Sequence, residues 1–330
     1  MGNVKDLSWR KDMTVRELID SLGSVGFQGA ELARASDLIV KMKRSSSRMF
    51  FTFTSNMMTS GLRGLFSQLI SLGMVDIIVT TVGGLEEDIM KAKGERFNLG
   101  TFSEDDVALY EEGVNRIGNI YVSNESYARF EDTISPMLAQ LYAKKARWSV
   151  SEMLHELGGM LDDEQSVLYQ AHKHNIPIFC PAITDGALGF HLFMFQEKHP
   201  DFVVDVVKDF KNILLSTSQD DVKGLVSLGG SVSKHHAILA CLLNGGLDYA
   251  VYMTTASQTS GSMSGATTRE AKSWGKVKDD SDAVTVKGDV TMTFPLAMGR
   301  ALEVLAEDGI VSLDLAEEGD AYLDEQGRGE

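Results

Sequence analysis

The chain has 330 residues, 43 % of them hydrophobic and 24 % charged, an ordinary globular composition that excludes a disordered chain and leaves length for a sizeable core. Its formal net charge of −16 disfavours nucleic acid and anionic membrane as partners. It suits a cationic ligand or a basic protein, with plain solubility as the alternative.

No apolar run reaches the ~18 residues of a membrane span. The start of the chain (Lys5, Asp6, Arg10, Lys11, Asp12) lacks the apolar stretch of a secretory signal. Cys180 and Cys241 lie in apolar runs and read as small core residues in a reducing compartment. The chain is therefore read as cytoplasmic.

In chain order, an N-terminal helical arm is expected over 1–43. Residues 48–54 (RMFFTFT) read as a buried strand and 61–73 as an amphipathic helix. Residues 75–80 form a second strand rich in β-branched side chains. Later strands are expected at 119–122, 176–180, 224–228, 249–253 and 283–286, with helices at 125–145, 202–215 and 233–244. Short apolar strands separated by helices imply an α/β fold: a doubly wound, mostly parallel sheet with helices on both faces, Rossmann-like. The catalytic domain is placed at 44–310, with an acidic tail at 311–330. From Glu303 onward that tail carries ten acids against Arg328 alone, so much of the charge can be a solvated terminus.

Polar residues and glycines gather where these strands should end: Ser55-Asn56, Thr81-Val82-Gly83-Gly84, Thr184-Asp185-Gly186, Gly229-Gly230-Ser231, Thr254-Thr255-Ala256 and Asp289. In an open parallel sheet those ends line the ligand crevice, and together they suggest a dinucleotide. The G-x-G-x-x-G fingerprint is missing, so each loop alone has an ordinary turn as its alternative. Glu86-Glu87-Asp88, after the Gly83-Gly84 turn, is ranked first as a helix cap and second as a carboxylate set for a cationic substrate.

Gly261 to Lys276 (GSMSGATTREAKSWGK) is the most informative stretch. A lysine after Trp-Gly, downstream of a Gly/Ser-rich loop, can lose hydration and act as an amine nucleophile toward a carbonyl or imine carbon. The alternative is a surface lysine beside a core tryptophan. Among the histidines, His155, His172, His174 and His199 read as solvated. His235-His236 opens a helix after the Gly229-Gly230-Ser231 loop, where a neutral imidazole can shuttle a proton. No cysteine or carboxylate stands near that pair at zinc-ligand spacing.

Taken together, these motifs resemble the deoxyhypusine synthase family over residues 48–302. The carriers are Thr54-Ser55-Asn56 with Ser60-Gly61-Leu62-Arg63, DIIVTTVGGLEED from Asp76, Asn115-Arg116-Ile117-Gly118-Asn119 and Thr184-Asp185-Gly186-Ala187-Leu188-Gly189. GGSVSKHH from Gly229, Asp248-Tyr249-Ala250-Val251-Tyr252 and the Gly261–Lys276 stretch complete the set.

The resemblance implies an NAD-dependent transferase. It would move the aminobutyl group of spermidine, through an imine on its own lysine, to a lysine of the translation initiation factor 5A precursor. Lys276 matches the imine-forming lysine and His235 the histidine beside the substrate amine. Glu86, Glu87, Gly261, Ser262, Glu270 and Trp274 match the substrate site. Ser55, Asn56, Thr59, Thr81, Val82, Gly83, Asp185, Gly230, Thr255, Ala256, Asp289 and Val290 match the NAD site. The family also implies a homotetramer with sites shared between chains, and an N-terminal helix that can cover a neighbouring site.

Three positions depart from the eukaryotic pattern: Phe190, Ser260 and Met263 stand where acids are found, and the first two apolar replacements, Phe190 and Met263, resemble the archaeal branch. Agmatine as donor, putrescine as acceptor giving homospermidine, and a silent nucleotide-binding paralogue are the alternatives.

Overall fold

The computed structural model describes residues 2–313. Its centre is a six-stranded parallel sheet. We number its strands β1 (Arg48–Phe53), β2 (Ile77–Val79), β3 (Ile178–Phe179), β4 (Lys223–Leu228), β5 (Leu247–Thr254) and β6 (Val277–Lys287). The spatial order is β6-β5-β4-β1-β2-β3. This is the order of a doubly wound dinucleotide-binding sheet, in which the ligand crevice opens where the order reverses, between β1 and β4.

Strands this apolar form because both faces are covered. Successive side chains of β1 go to opposite cores: Met49, Phe51 and Phe53 to one, Phe50 to the other. Ile78 and Ile77 divide in the same way, as do Val226 and Leu225, and Val251 and Tyr252. This two-residue alternation is the period of a strand. Helices Gln28–Arg44 and Val290–Glu307 supply the first core through Leu38, Ile39, Met42, Phe294 and Met298. Helices Val206–Leu215 and Ser231–Leu243 supply the second through Ile213, Ala237, Ile238 and Cys241. The helix Gln28–Arg44, inside the span read as an N-terminal arm, lies directly on this core.

Two segments differ from the sequence expectation. Residues 119–122 do not join the parallel sheet. They fall in Ile120–Ser123, which pairs antiparallel with Val114–Ile117 and Asn98–Leu99 in a separate lobe. The Gly118-Asn119 turn between the two apolar runs, with Gly118 at φ +65°, makes a hairpin there. Residues 203–205 begin as a strand, Val203–Asp205, paired with Arg147–Ser149, and the helix starts only at Val206. The expected acidic tail lies, beyond 313, outside the described residues. Cys180 and Cys241 are free and buried.

Candidate active site

The loops after the strands meet along one edge of the sheet. A methyl group on Gly229, after β4, would stand 3.7 Å from Thr54 Oγ1, just after β1. The Ser55 amide donates to Thr81 Oγ1 at 2.9 Å, joining the loops after β1 and β2. A methyl on Gly83 would come within 2.9 Å of the Ser55 Cβ, so only glycine lets these turns approach so closely. Gly230 is held in the same way: a methyl there would stand 2.5 Å from Ser264 Oγ, while the Ser231 amide donates to that oxygen at 3.1 Å.

Ser55, Asn56, Thr59, Thr81, Val82, Gly83, Asp185, Gly230, Thr255, Ala256, Asp289 and Val290 all lie on this rim. Besides Ser55 and Thr81, two more have local side-chain duties there. Asp289 accepts from the Thr291 amide at 2.9 Å and caps its own helix. The Thr59 hydroxyl donates to Glu87 Oε2. Helices Val82–Ala92 and Ser231–Leu243 start on the rim with no side-chain hydrogen bond from their N-cap residues, Thr81 and Gly230, and the Ser231 amide is taken by Ser264 Oγ.

The acidic run Glu86-Glu87-Asp88 does not cap its own helix, which begins at Val82. The three side chains are 6 %, 4 % and 1 % exposed, a turn further in. Glu86 Oε2 instead accepts from the Leu188 amide at 2.8 Å, at the start of helix Ala187–Lys198. Asp88 accepts from the Leu168 amide and Ser166 Oγ, each at 2.8 Å, and pairs with Arg63 at 2.5 Å. Glu87 is left with a hydroxyl alone. Burial raises its carboxyl to about 7, against the opposing pulls of Thr59 and Lys91 and with help from Glu86. A carboxyl of that kind is available to take or give a proton near neutral pH.

A second group of predicted residues surrounds a pocket lined by Ser231, His235, Met263, Glu270, Trp274 and Lys276. Lys276 is 6 % exposed, and its ammonium lies 4.9 Å from the Trp274 ring centre. Among the described residues that ammonium has no hydrogen-bond or ion-pair partner. A buried lysine is normally paired, so an unpaired one marks a site rather than a surface residue. Burial, and then the Lys276 charge, hold His235 below its usual range, so its imidazole is neutral at pH 7. Among the described residues Glu270 is the one carboxylate lining the pocket, and Met263 is 53 % exposed at its mouth. Glu86, Glu87, Gly261 and Ser262 do not line it; Ser262 caps the short turn Met263–Gly265.

Two residues of this pocket escaped sequence analysis. Lys234 is 4 % exposed and donates to the Ser264 and Ala266 carbonyl oxygens at 3.2 and 3.3 Å, pinning that loop over the pocket. Burial first, then Lys287 and Lys276, lower its amine to about 8, against the pull of Glu270. Tyr252, 1 % exposed, presents a hydroxyl with no hydrogen-bond partner among the described residues. Lys234 reads as an ordinary helical lysine in GGSVSKHH because its burial depends on a loop 30 residues downstream. His155 and His172 are not solvated as expected. Their rings pack 4.4 Å apart, and His172 Nδ1 lies 2.9 Å from the His155 carbonyl oxygen. His199 is likewise packed, between Tyr142 and Phe195.

The doubly wound sheet thus brings a buried lysine, unpaired among the described residues, and His235 into one pocket beside the loops that follow its strands. The sequence profile of the deoxyhypusine synthase family matches residues 17–301. A probable deoxyhypusine synthase of Thermoplasma acidophilum is 38 % identical, over 91 % of this chain and 97 % of its own. One from Thermococcus kodakarensis is 39 % identical over 89 % and 93 %. The deoxyhypusine synthase of Eremothecium gossypii is 37 % identical over 89 % of both. A solved Entamoeba histolytica protein assigned to the same synthase superposes with a TM-score of 0.67 at 27 % identity, over 91 % of this chain and 97 % of that one. The chain belongs to the deoxyhypusine synthase family, and its relatives mark it as a transferase.

Proposed function

We propose that the protein uses NAD to transfer the aminobutyl group of spermidine to a lysine of the translation initiation factor 5A precursor. The observation that carries this reading is Lys276: a buried amine, unpaired among the described residues, with His235 and Glu270 lining the same pocket. A second observation concerns the cofactor. The Gly83-Gly84 turn, the start of helix Val82–Ala92 without a side-chain cap, and the buried Thr80 hydroxyl just before it, without a partner among the described residues, fit a dinucleotide. Ser55, Thr81, Gly83 and Gly230 would hold its phosphates, with Asp185, Thr255, Ala256, Asp289 and Val290 further along the rim. When bound, NAD would accept a hydride from the carbon next to the secondary amine of the substrate and return it to the final imine on the acceptor lysine, so the transfer carries no net redox change.

The chain's own residues do the rest. Glu270 and the Trp274 face hold the polyamine ammonium groups, the ring by a cation–π contact. Neutral His235 accepts the amine proton. The Lys276 amine adds to the substrate imine carbon and displaces 1,3-diaminopropane, leaving the aminobutyl group as an imine on Lys276. The acceptor lysine then displaces Lys276 by the same exchange. Glu87, poised near 7, is suited to relay protons at the cofactor end of the crevice.

Met263 at the pocket mouth favours a second reading of the donor, since it leaves Glu270 as the one lining carboxylate. An amine with a different second charge, such as agmatine, then competes with spermidine. The family matches and the retained Lys276 and His235 weigh against a silent paralogue. Mass analysis of the factor after incubation with NAD and each donor tests the reading. Addition of an aminobutyl group to one lysine supports it; homospermidine formed from putrescine, with the factor unmodified, moves the acceptor to a free amine.

A further inference from the structure

Around the antiparallel lobe several large apolar side chains stand open to solvent among the described residues. Leu99, Phe102, Val107 and Tyr110 are 83 %, 73 %, 68 % and 80 % exposed. Val107 and Tyr110 stand three residues apart on helix Asp106–Glu111 and share a face. Phe102 lies beside the hairpin turn, where a methyl on Gly118 would stand 3.4 Å from its ring. The Arg116 guanidinium reaches the carbonyl oxygen of that turn at 2.9 Å and Asp106 at 2.6 Å, so one side chain bridges the turn and the helix. Grouped exposed apolar side chains of this kind mark an interaction surface.

The charge around them selects the partner. Residues 104–112 hold five acids and no base. Asp106 pairs with Arg116, whose charge also acts on Glu104, whereas Asp105, Glu111 and Glu112 are exposed and in no ion pair among the described residues. A protein that covers the apolar groups must bring basic side chains with it. Two copies of this acidic chain meeting face to face here would oppose like charges.

The lobe is also rooted at the proposed site. Lys91, one turn after Glu87, lies 4.8 Å from the centre of the Phe97 ring at the base of the lobe. Strand Ile120–Ser123 runs straight into the helix bearing Tyr127, which burial and the charges of Glu87 and Glu86 raise to about 12. The lobe therefore flanks the carboxylate end of the crevice.

The geometry points to this face as the docking surface for the macromolecular acceptor, a protein with basic side chains around its target lysine. The inference rests on the reading that the acceptor is a protein.

The test uses the full chain, with Phe102→Ala/Tyr110→Ala as one variant and Glu111→Lys/Glu112→Lys as another. The probe is the unmodified initiation factor 5A precursor. Each variant should raise the Kd and the KM for the factor by about tenfold or more, the size of effect an interface anchor has. The charge variant should also flatten the salt dependence of association. The spermidine-dependent adduct on Lys276, formed without the factor, should match wild type in both.

Binding of the factor within about twofold of wild type in both variants overturns the inference. So does loss of subunit association in the apolar variant, because a second copy would then be the occupant. Wild type that forms the Lys276 adduct yet neither binds nor modifies the factor overturns the acceptor reading itself, an outcome separable from the others because the unmutated chain fails too.

Discussion

The Lys276 ammonium sits 4.9 Å from the centre of the Trp274 indole, and the ring itself is 62 % exposed while the lysine is 6 % exposed. The ring forms the outer wall of the pocket and the amine its inner end. Lys276→Arg should abolish transfer, because a guanidinium cannot form the imine. Trp274→Ala should weaken polyamine binding by about 1 kcal/mol, the scale of a partly exposed cation–π contact, seen as a higher KM. Steady-state kinetics on both variants check this.

His235 is held below its usual range by burial and by Lys276, which favours its neutral imidazole. Activity should therefore fall on the acid side as His235 takes up a proton. His235→Gln should cost about 100-fold in kcat, typical of a lost general base, and remove that acid limb. A pH–rate profile from 5 to 9 separates this from a merely structural role.

Glu87 carries a linked effect on stability. Its folded-state carboxyl titrates near 7, above the unfolded value of 4.5. The native state thus binds a proton over that window that the unfolded state has released, and stability falls as pH rises from about 4.5 to 7. Glu87→Gln removes the penalty and keeps an acceptor for the Thr59 hydroxyl. It should melt above wild type at pH 8, by on the order of 3 kcal/mol at most, and show little gain at pH 4.5. Its transfer activity should be lost. Melting curves across pH test the sign.

Gly83→Ala pushes a methyl to within 2.9 Å of the Ser55 Cβ and should part the loops after β1 and β2. NAD affinity, measured by calorimetry, should drop about tenfold while the fold persists.

Met263→Asp returns an acid to the pocket mouth. A carboxylate there should tighten spermidine by about 1 kcal/mol, less than a buried charged hydrogen bond because the position is half open to water. The KM ratio of spermidine to agmatine should shift toward spermidine.

Much of this architecture is legible in the chain because the central strands are local signals. RMFFTF and the β-branched run at β2 are apolar enough for strands covered on both faces, and the glycines after them fall at the crevice. What is not legible depends on tertiary placement. Glu86 and Asp88 look like caps of their own helix, yet they cap helices that begin about 100 and 80 residues later. Lys234 looks like any helical lysine until the Ser264–Ala266 loop folds over it. Residues 119–122 read as a strand from their own composition, but their sheet does not, since their partner is set by the Gly118-Asn119 turn.

The most direct measurement is peptide mapping after the protein is incubated with NAD and spermidine and reduced with borohydride. The account predicts a single aminobutyl adduct on Lys276. An adduct on Lys234 instead, or none with either spermidine or agmatine, would contradict it.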